Sequence, residues 1–352
     1  MILLPWSLFG CAQDYALEAT PVDVNPGDVV ECGFTEVEGT DFSSYDCNPV
    51  FTTTDEPWAE DIGGVAFAVT EVLGHPFFQA WYIGFPSDSY GEYGLGYAVS
   101  PEGTDWTPHP DNSLLGASAT GAWDHDMMDA PQVVWDPESE QYVMLYQGYN
   151  IGEGLWGLGV ATSVDGLAWT RLPTNPVVDF AAPTDGVGWC WPLGLSLGSV
   201  AGFTGYMAGY SGRNDACEMY RVDGADVRTW VTRDEVVFPA GDAGEWDDEG
   251  FASVAVAELD GQRWLFYAGF GTWVDHPEEG YRSGEDAYFG YAKEVDGAWV
   301  RQGRVPIHTS EPGQVRAVAA RTVGSRIHLW VTDDYEGGSG IGYFLFAPGG
   351  GE

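Results

Sequence analysis

Apolar positions along the chain come in short runs, and few stretches place them at helical spacing over three turns. Runs rich in Val, Tyr, Phe and Trp alternate with clusters of Gly, Asp and Pro, the pattern of strands joined by tight turns. One run returns along the chain: Ala80-Trp-Tyr-Ile-Gly-Phe85, Met144-Leu-Tyr-Gln-Gly-Tyr149, Tyr206-Met-Ala-Gly-Tyr210, Leu265-Phe-Tyr-Ala-Gly-Phe270 and a degenerate His328-Leu-Trp-Val-Thr332. An apolar strand precedes each copy, at Val65–Val69, Gln132–Trp135, Leu193–Leu197, Ser253–Ala257 and Val315–Ala319. A turn and a tryptophan strand follow. Ser100-Pro-Glu-Gly-Thr-Asp-Trp106 matches Ser163-Val-Asp-Gly-Leu-Ala-Trp169, with weaker copies at Glu294-Val-Asp-Gly-Ala-Trp299 and at Val222-Asp-Gly224 before Trp230. The tryptophans recur at intervals of roughly sixty residues, and each Asp-Gly or Glu-Gly step predicts a hairpin turn.

The repeated unit is strand, hairpin, strand, Gly-rich strand, turn, Trp strand. Five such units stacked radially predict an all-β fold, a five-bladed β-propeller of four-stranded antiparallel blades. The fifth copy reaches the C-terminus with about three strands, so a strand from residues 28–57 is expected to complete it and close the ring. The expected division is a lipoprotein signal peptide and lipobox at 1–11, a tether and disulfide-stapled segment at 12–57, the propeller at 58–346 and a tail at 347–352.

Composition narrows the partners. The 352 residues include 54 acidic and 13 basic side chains, a formal net charge of −41. Such a surface repels phosphate backbones and anionic membranes, which argues against nucleic acid as a partner. Acidity of this kind serves solubility, and calcium is the ion that clustered carboxylates would hold. No EF-hand loop is present, and no cofactor is required by any motif. Met1–Gly10 followed by Cys11 resembles the bacterial lipobox, which implies acylation of Cys11, export to the cell envelope and membrane contact only through the lipid. The remaining cysteines allow three pairings; the local one, Cys32–Cys47 and Cys190–Cys217, closes short loops and fits an oxidising compartment. A monomer is expected.

The Gly-rich strand, the Ser-x-x-Gly-x-x-Trp turn and the Leu172-Pro-Thr-Asn-Pro176 segment together resemble the five-bladed glycoside hydrolases. These include arabinanases, xylosidases, fructosidases and mannoside phosphorylases, and the resemblance covers residues 58–346. The turn is also similar to the sialidase Asp-box. Three blades open alike, at Trp58-Ala-Glu-Asp61, Trp123-Asp-His-Asp126 and Trp246-Asp-Asp-Glu249, and the first strand of each blade starts at one face. The resemblance implies Asp61 as base, Asp126 as the pKa-tuning carboxylate and Glu249 as acid, because glycosidic cleavage uses paired carboxyls of different basicity. Asp129, in Asp129-Ala-Pro131, is a rival for the tuning role and resembles the family's Arg-Asp-Pro with Met128 in place of the Arg. The family's acid stands on the third blade; here Thr184-Asp-Gly-Val-Gly-Trp-Cys190 carries Asp185 and no glutamate.

Other groups are expected to line the same face. Arg213 and Asn214 fall in the strand two to three loop of blade three, with Cys190 and Cys217 bracing it. Trp273, His276 and Arg282 fall in a long loop of blade four, and Arg316 begins the inner strand of blade five. Trp and Arg suit sugar stacking and hydroxyl bonding. No Gly-x-Ser-x-Gly, His-Glu-x-x-His or phosphate loop occurs, and His125 has no second histidine at metal-ligand spacing. Two functions follow: an exported glycosidase-like protein acting on a glycan or oligosaccharide through paired carboxylates, or a non-catalytic surface lipoprotein whose propeller binds glycan or protein.

Overall fold

The structure, a computed structural model, describes residues 32–52, 58–72, 75–86, 93–150, 152–179, 188–189, 195–199, 203–210, 216–276, 281–285, 287–306, 315–335 and 338–349. Among these no helix occurs, and the strands form five antiparallel blades of a β-propeller. Blade one comprises Asp61–Val72, His75–Phe85, Gly94–Ser100 and an outer strand split into Thr107–Pro108 and Leu115–Gly116. Blade two repeats this with Met127–Asp136, Gln141–Asn150, Leu155–Ser163, Thr170–Arg171 and Val178–Asp179. Blade three has Gly188–Trp189 and Leu195–Ser199 innermost, then Phe203–Tyr210, Glu218–Asp226 and Thr229–Phe238. Blade four has Gly250–Leu259, Gln262–Phe270, Tyr288–Val295 and Ala298–Val305.

Blade five is built from both ends of the described chain. Ala317–Val323, Arg326–Tyr335 and Gly338–Phe346 supply three strands, and Phe42–Tyr45 pairs antiparallel with the last of them. Phe34–Glu36 adds an outermost strand, so the propeller draws on residues before 58. Cys32 and Cys47 are disulfide-bonded with Cα atoms 5.7 Å apart, which staples this hairpin. Phe42 is 1% exposed and packs against Phe266, Phe289 and Phe346, so the closing strand is anchored by its side chain as well as its backbone.

The turns explain the repeated motif. Ser163 Oγ accepts from Gly166 N at 2.9 Å, Asp165 Oδ1 accepts from Leu167 N and Ala168 N, and Trp169 Nε1 donates to Gly166 O at 2.9 Å. Ser100, Gly103 and Trp106 make the matching bonds in blade one. Gly103 and Gly166 adopt φ of 83° and 78°, the left-handed region in which a side chain is strained. Apolar clusters fill each gap between neighbouring blades, such as Phe67 stacked on Trp330 between blades one and five, with centroids 4.1 Å apart.

A second repeat lies in the outer strands. Asn48, Asn112 and Asn175 interrupt the outer segments of blades five, one and two. Each side chain accepts from the backbone N–H and donates to the carbonyl of one third-strand residue: Tyr343, Tyr97 and Val160 respectively. The amide thus replaces one ladder rung where the outer strand breaks. Asn175→Ala leaves both Val160 groups without that partner and should lower stability by roughly 1–3 kcal/mol. Phe42→Ala should cost about 3–5 kcal/mol through the cavity left between blades four and five. Urea unfolding midpoints at constant slope would check both, and an unchanged midpoint in Phe42→Ala would show that the ring closes without that strand.

Candidate active site

The blade entries rest on one packing unit. Trp58, Trp123 and Trp246 lie over Gly84, Gly148 and Gly269, where an added Cβ would come within 2.5, 2.4 and 2.7 Å of the indole ring. Each indole also packs on the tyrosine of the same strand, at centroid distances of 6.3, 5.7 and 5.5 Å for Tyr82, Tyr146 and Tyr267. In blade two the next residue, Asp124, is 1% exposed and accepts from Tyr146 Oη at 3.0 Å and Arg171 Nε at 2.9 Å. Asp247 in blade four repeats this with Tyr267 at 3.1 Å and Arg301 at 2.9 Å. These two acids tie the entry to the outer strand. Blade one has Ala59 there, and Tyr82 Oη instead accepts from Asn112.

The hydrogen-bond ladder corrects the alignment of the three entries. Asp126 N donates to Tyr149 O and Glu249 N to Phe270 O, but in blade one it is Glu60 N that donates to Phe85 O. Blade one is therefore one residue shorter after its tryptophan. Glu60 matches Asp126 and Glu249, while Asp61 stands one step further in, beside Met127 and Gly250.

That step brings Asp61 into a charged network. Arg316 Nη1 donates to both Asp61 oxygens at 2.7 Å, and Ile62 N donates to Oδ1 at 2.9 Å. Asp61 and Arg316 keep 22% and 31% exposure. Asp129 stands behind them, 2% exposed, with Oδ1 accepting from Gly64 N of blade one at 3.0 Å and from Ala130 N at 2.6 Å. A Cβ on Gly64 would lie 2.6 Å from Ala130 Cα, so this approach needs glycine. Ala130 has φ of 47° at a register shift, a bulge that re-aims Asp129 toward blade one. Burial pushes the Asp129 carboxyl up to about 7, against the lowering effect of its two backbone donors, and the Asp61 charge adds to the rise.

Asp126 and Glu249 sit at the same end of their inner strands. Asp126 faces His125, whose Nε2 is 3.8 Å from Oδ1 and whose Nδ1 donates to Ser118 O at 3.0 Å. Among the described residues the Glu249 carboxylate makes no hydrogen bond or ion pair, and its backbone carbonyl accepts from Cys217 N at 2.9 Å. Gly250 packs so tightly on Cys217 that an added Cβ would overlap its carbonyl oxygen. Cys217 is disulfide-bonded; its partner, Cys11 or Cys190, lies outside the described residues, as do Asp185, Arg213 and Asn214. Trp273, His276 and Arg282 occupy a two-stranded hairpin, Thr272–His276 with Tyr281–Glu285, where a loop was expected; their side chains lie outside the description.

Three site-face residues escape the sequence reading. Glu218, directly after Cys217, is 7% exposed with its carboxyl raised by burial. Tyr149 and Trp156 face each other at the tips of blade two, with centroids 3.3 Å apart, and burial together with Asp126 raises the Tyr149 phenol. Their signal was positional, at the strand ends flanking the loop between strands two and three. No group of three or more His, Cys, Asp or Glu is arranged to hold a metal among the described residues, and no helix there is long and apolar enough to cross a membrane.

No family model and no curated protein matches the sequence. Solved structures do match in fold. A β-1,2-mannobiose phosphorylase from Listeria innocua aligns with a TM-score of 0.57 at 11% identity, over 87% of this chain and 96% of that one. A family-32 β-fructofuranosidase from Bombyx mori gives 0.56 at 15% identity, over 80% and 58%. A thermostable family-43 glycoside hydrolase gives 0.54 at 15%, over 83% and 90%. What the chain shares with these glycosidase and phosphorylase propellers is the architecture.

The buried Asp129 makes stability depend on pH. Its folded pKa of about 7 exceeds the unfolded value of 3.8, so the folded state holds the proton more tightly and stability falls as pH rises between these values. Three units correspond to roughly 4 kcal/mol. Asp129→Asn should flatten that part of the stability profile between about pH 4 and pH 8. Denaturant titrations across this range in both proteins would check it, and identical profiles would show that Asp129 is solvated.

Proposed function

We propose that the chain is a carbohydrate-active propeller of glycosidase type, with its site at the end where Asp61, Asp129 and Arg316 meet. The observation that carries this reading is the pair of neighbouring carboxyls in different environments: Asp61 partly exposed and ion-paired with Arg316, Asp129 buried and raised to about 7. Glycosidic cleavage uses such divergent carboxyls. In this reading Asp61 takes the proton from the attacking water as its oxygen bonds to the anomeric carbon. Glu249, unbonded among the described residues, gives a proton to the leaving oxygen as the glycosidic bond breaks. Asp129 takes the tuning role in place of Asp126, because it stands behind the Asp61–Arg316 pair and its carboxyl is the one on which the Asp61 charge acts. Glycan is the partner, the protein acts as a monomer, and export with a lipid on Cys11 belongs to the same proposal.

A second reading, a glycan-binding propeller without catalysis, is favoured by Arg316 holding both Asp61 oxygens and by the absence of glutamate from Thr184–Cys190. Activity on a panel of aryl glycosides and glycans separates the two. Asp61→Asn and Glu249→Gln should each lower hydrolysis by at least about a hundredfold with unchanged circular dichroism. Full activity in Glu249→Gln removes its role as acid. Saturable glycan binding without cleavage by the parent protein establishes the second reading.

A further inference from the structure

One repeat position stands immediately before the glycine of the second strand in blades one to four. It is held by Ile83, Gln147, Ala208 and Ala268. Three of these are apolar and 0% exposed. Gln147 is an amide, 1% exposed, and among the described residues neither its Oε1 nor its Nε2 has a hydrogen-bond partner. Buried polar groups are nearly always bonded, so an orphaned amide at a position that three sister blades fill with hydrocarbon calls for a cause.

Its neighbours show which space it faces. Side chains alternate along a strand. Leu145 packs in one cluster with Tyr220 and Val222 of blade three, whereas Tyr146 turns the other way, to Asp124 and blade one. Gln147, two residues beyond Leu145, faces blade three. Across the gap Glu218, two residues before Tyr220, faces blade two, where its only described bond is a 3.4 Å contact from the Tyr220 hydroxyl. The register then orders the blade-two wall from core to site face: Leu145 beside Val160, Gln147 beside Leu158, then Trp156. Gln147 is also the cross-strand partner of Asp129. The gap between blades two and three therefore has an apolar floor, a polar step and the half-buried Trp156 at its rim, at the same end as Asp61 and Arg316.

Aromatic faces stack on the C–H face of a sugar ring, and an amide offers two donors and an acceptor to neighbouring hydroxyls. We propose that the gap between blades two and three is a sugar-binding subsite, in which one residue of a glycan stacks on Trp156 and bonds Gln147 and Glu218 through its hydroxyls. The ligand supplies the partner that the amide lacks. The inference rests on the reading that the ligand of this face is a carbohydrate.

Titration with β-1,2-mannobiose, sucrose and α-1,5-arabinobiose, followed by tryptophan fluorescence and thermal unfolding, tests it. At least one disaccharide should bind the parent protein. Gln147→Met, close in length and apolar like its three counterparts, should melt higher yet bind that disaccharide at least about tenfold more weakly. Trp156→Ala should weaken binding similarly, and Arg233→Ala, on the exposed outer strand of blade three, should not. Unchanged affinity in both Gln147→Met and Trp156→Ala, with binding lost in Asp61→Asn, overturns the subsite and leaves the carbohydrate reading standing. A parent protein that binds none of the three disaccharides and cleaves no aryl glycoside overturns both.

Discussion

The close approach of an indole to a glycine is the constraint on which the site end of this propeller depends. Trp58, Trp123 and Trp246 each occupy the space a side chain on the second strand would fill, and each lies on the tyrosine of that strand. This contact fixes where the chain enters the inner strand, and so where the next residues emerge on the site face. Two of the entries are locked further by a buried aspartate joined to an arginine of the outer strand, an ion pair spanning the width of the blade. A buried carboxylate of this kind persists only when its bonds are complete, and both Asp124 and Asp247 bond a phenol and a guanidinium.

Charge is distributed by the same logic across a very acidic chain. Arg171, Arg263, Arg301 and Arg316 each hold a carboxylate within 2.9 Å, and three of these bonds join segments of different blades or opposite edges of one. Arg316 differs in where it stands. It belongs to blade five and reaches the entry of blade one, so the ion pair with Asp61 closes the ring at the site end. Asp129 joins blade one to blade two through Gly64 N, which makes the candidate site a junction of three blades.

Much of the fold was legible because its punctuation is local. The Ser-x-x-Gly-x-x-Trp turns announce themselves through a hydroxyl, a left-handed glycine and an indole N–H that act within a few residues of one another. The asparagine repeat was missed because Asn48 lies near the start of the chain and its counterparts far along it, so only the completed ring aligns them. The site was less legible for a comparable reason. Trp58-Ala-Glu-Asp61 looks in phase with its two counterparts, yet the ladder shows one residue fewer between indole and strand. Sequence spacing cannot register that deletion, and the meeting of Asp61 with Arg316 is set by blade stacking. The raised Asp129 has a local trace in Asp129-Ala-Pro131, but its burial against Gly64 is a contact between blades.

The fifth blade gives the chain a circular logic. Ala347 N donates to Asp41 O, and Gly349 N to the Asp41 side chain, so the beginning and end of the described fold lie side by side at the outer edge of one sheet. The connectivity is thus broken within a blade, while apolar clusters of described residues fill the gap on either side of it. A ribosome making this chain completes four blades before Gly338–Phe346, the strand that Phe42–Tyr45 must pair with, has emerged, so the first described hairpin waits for its sheet. In topological terms the propeller has no intrinsic first blade: joining its ends and opening it at another exposed turn preserves every contact between blades while exchanging which strand must wait.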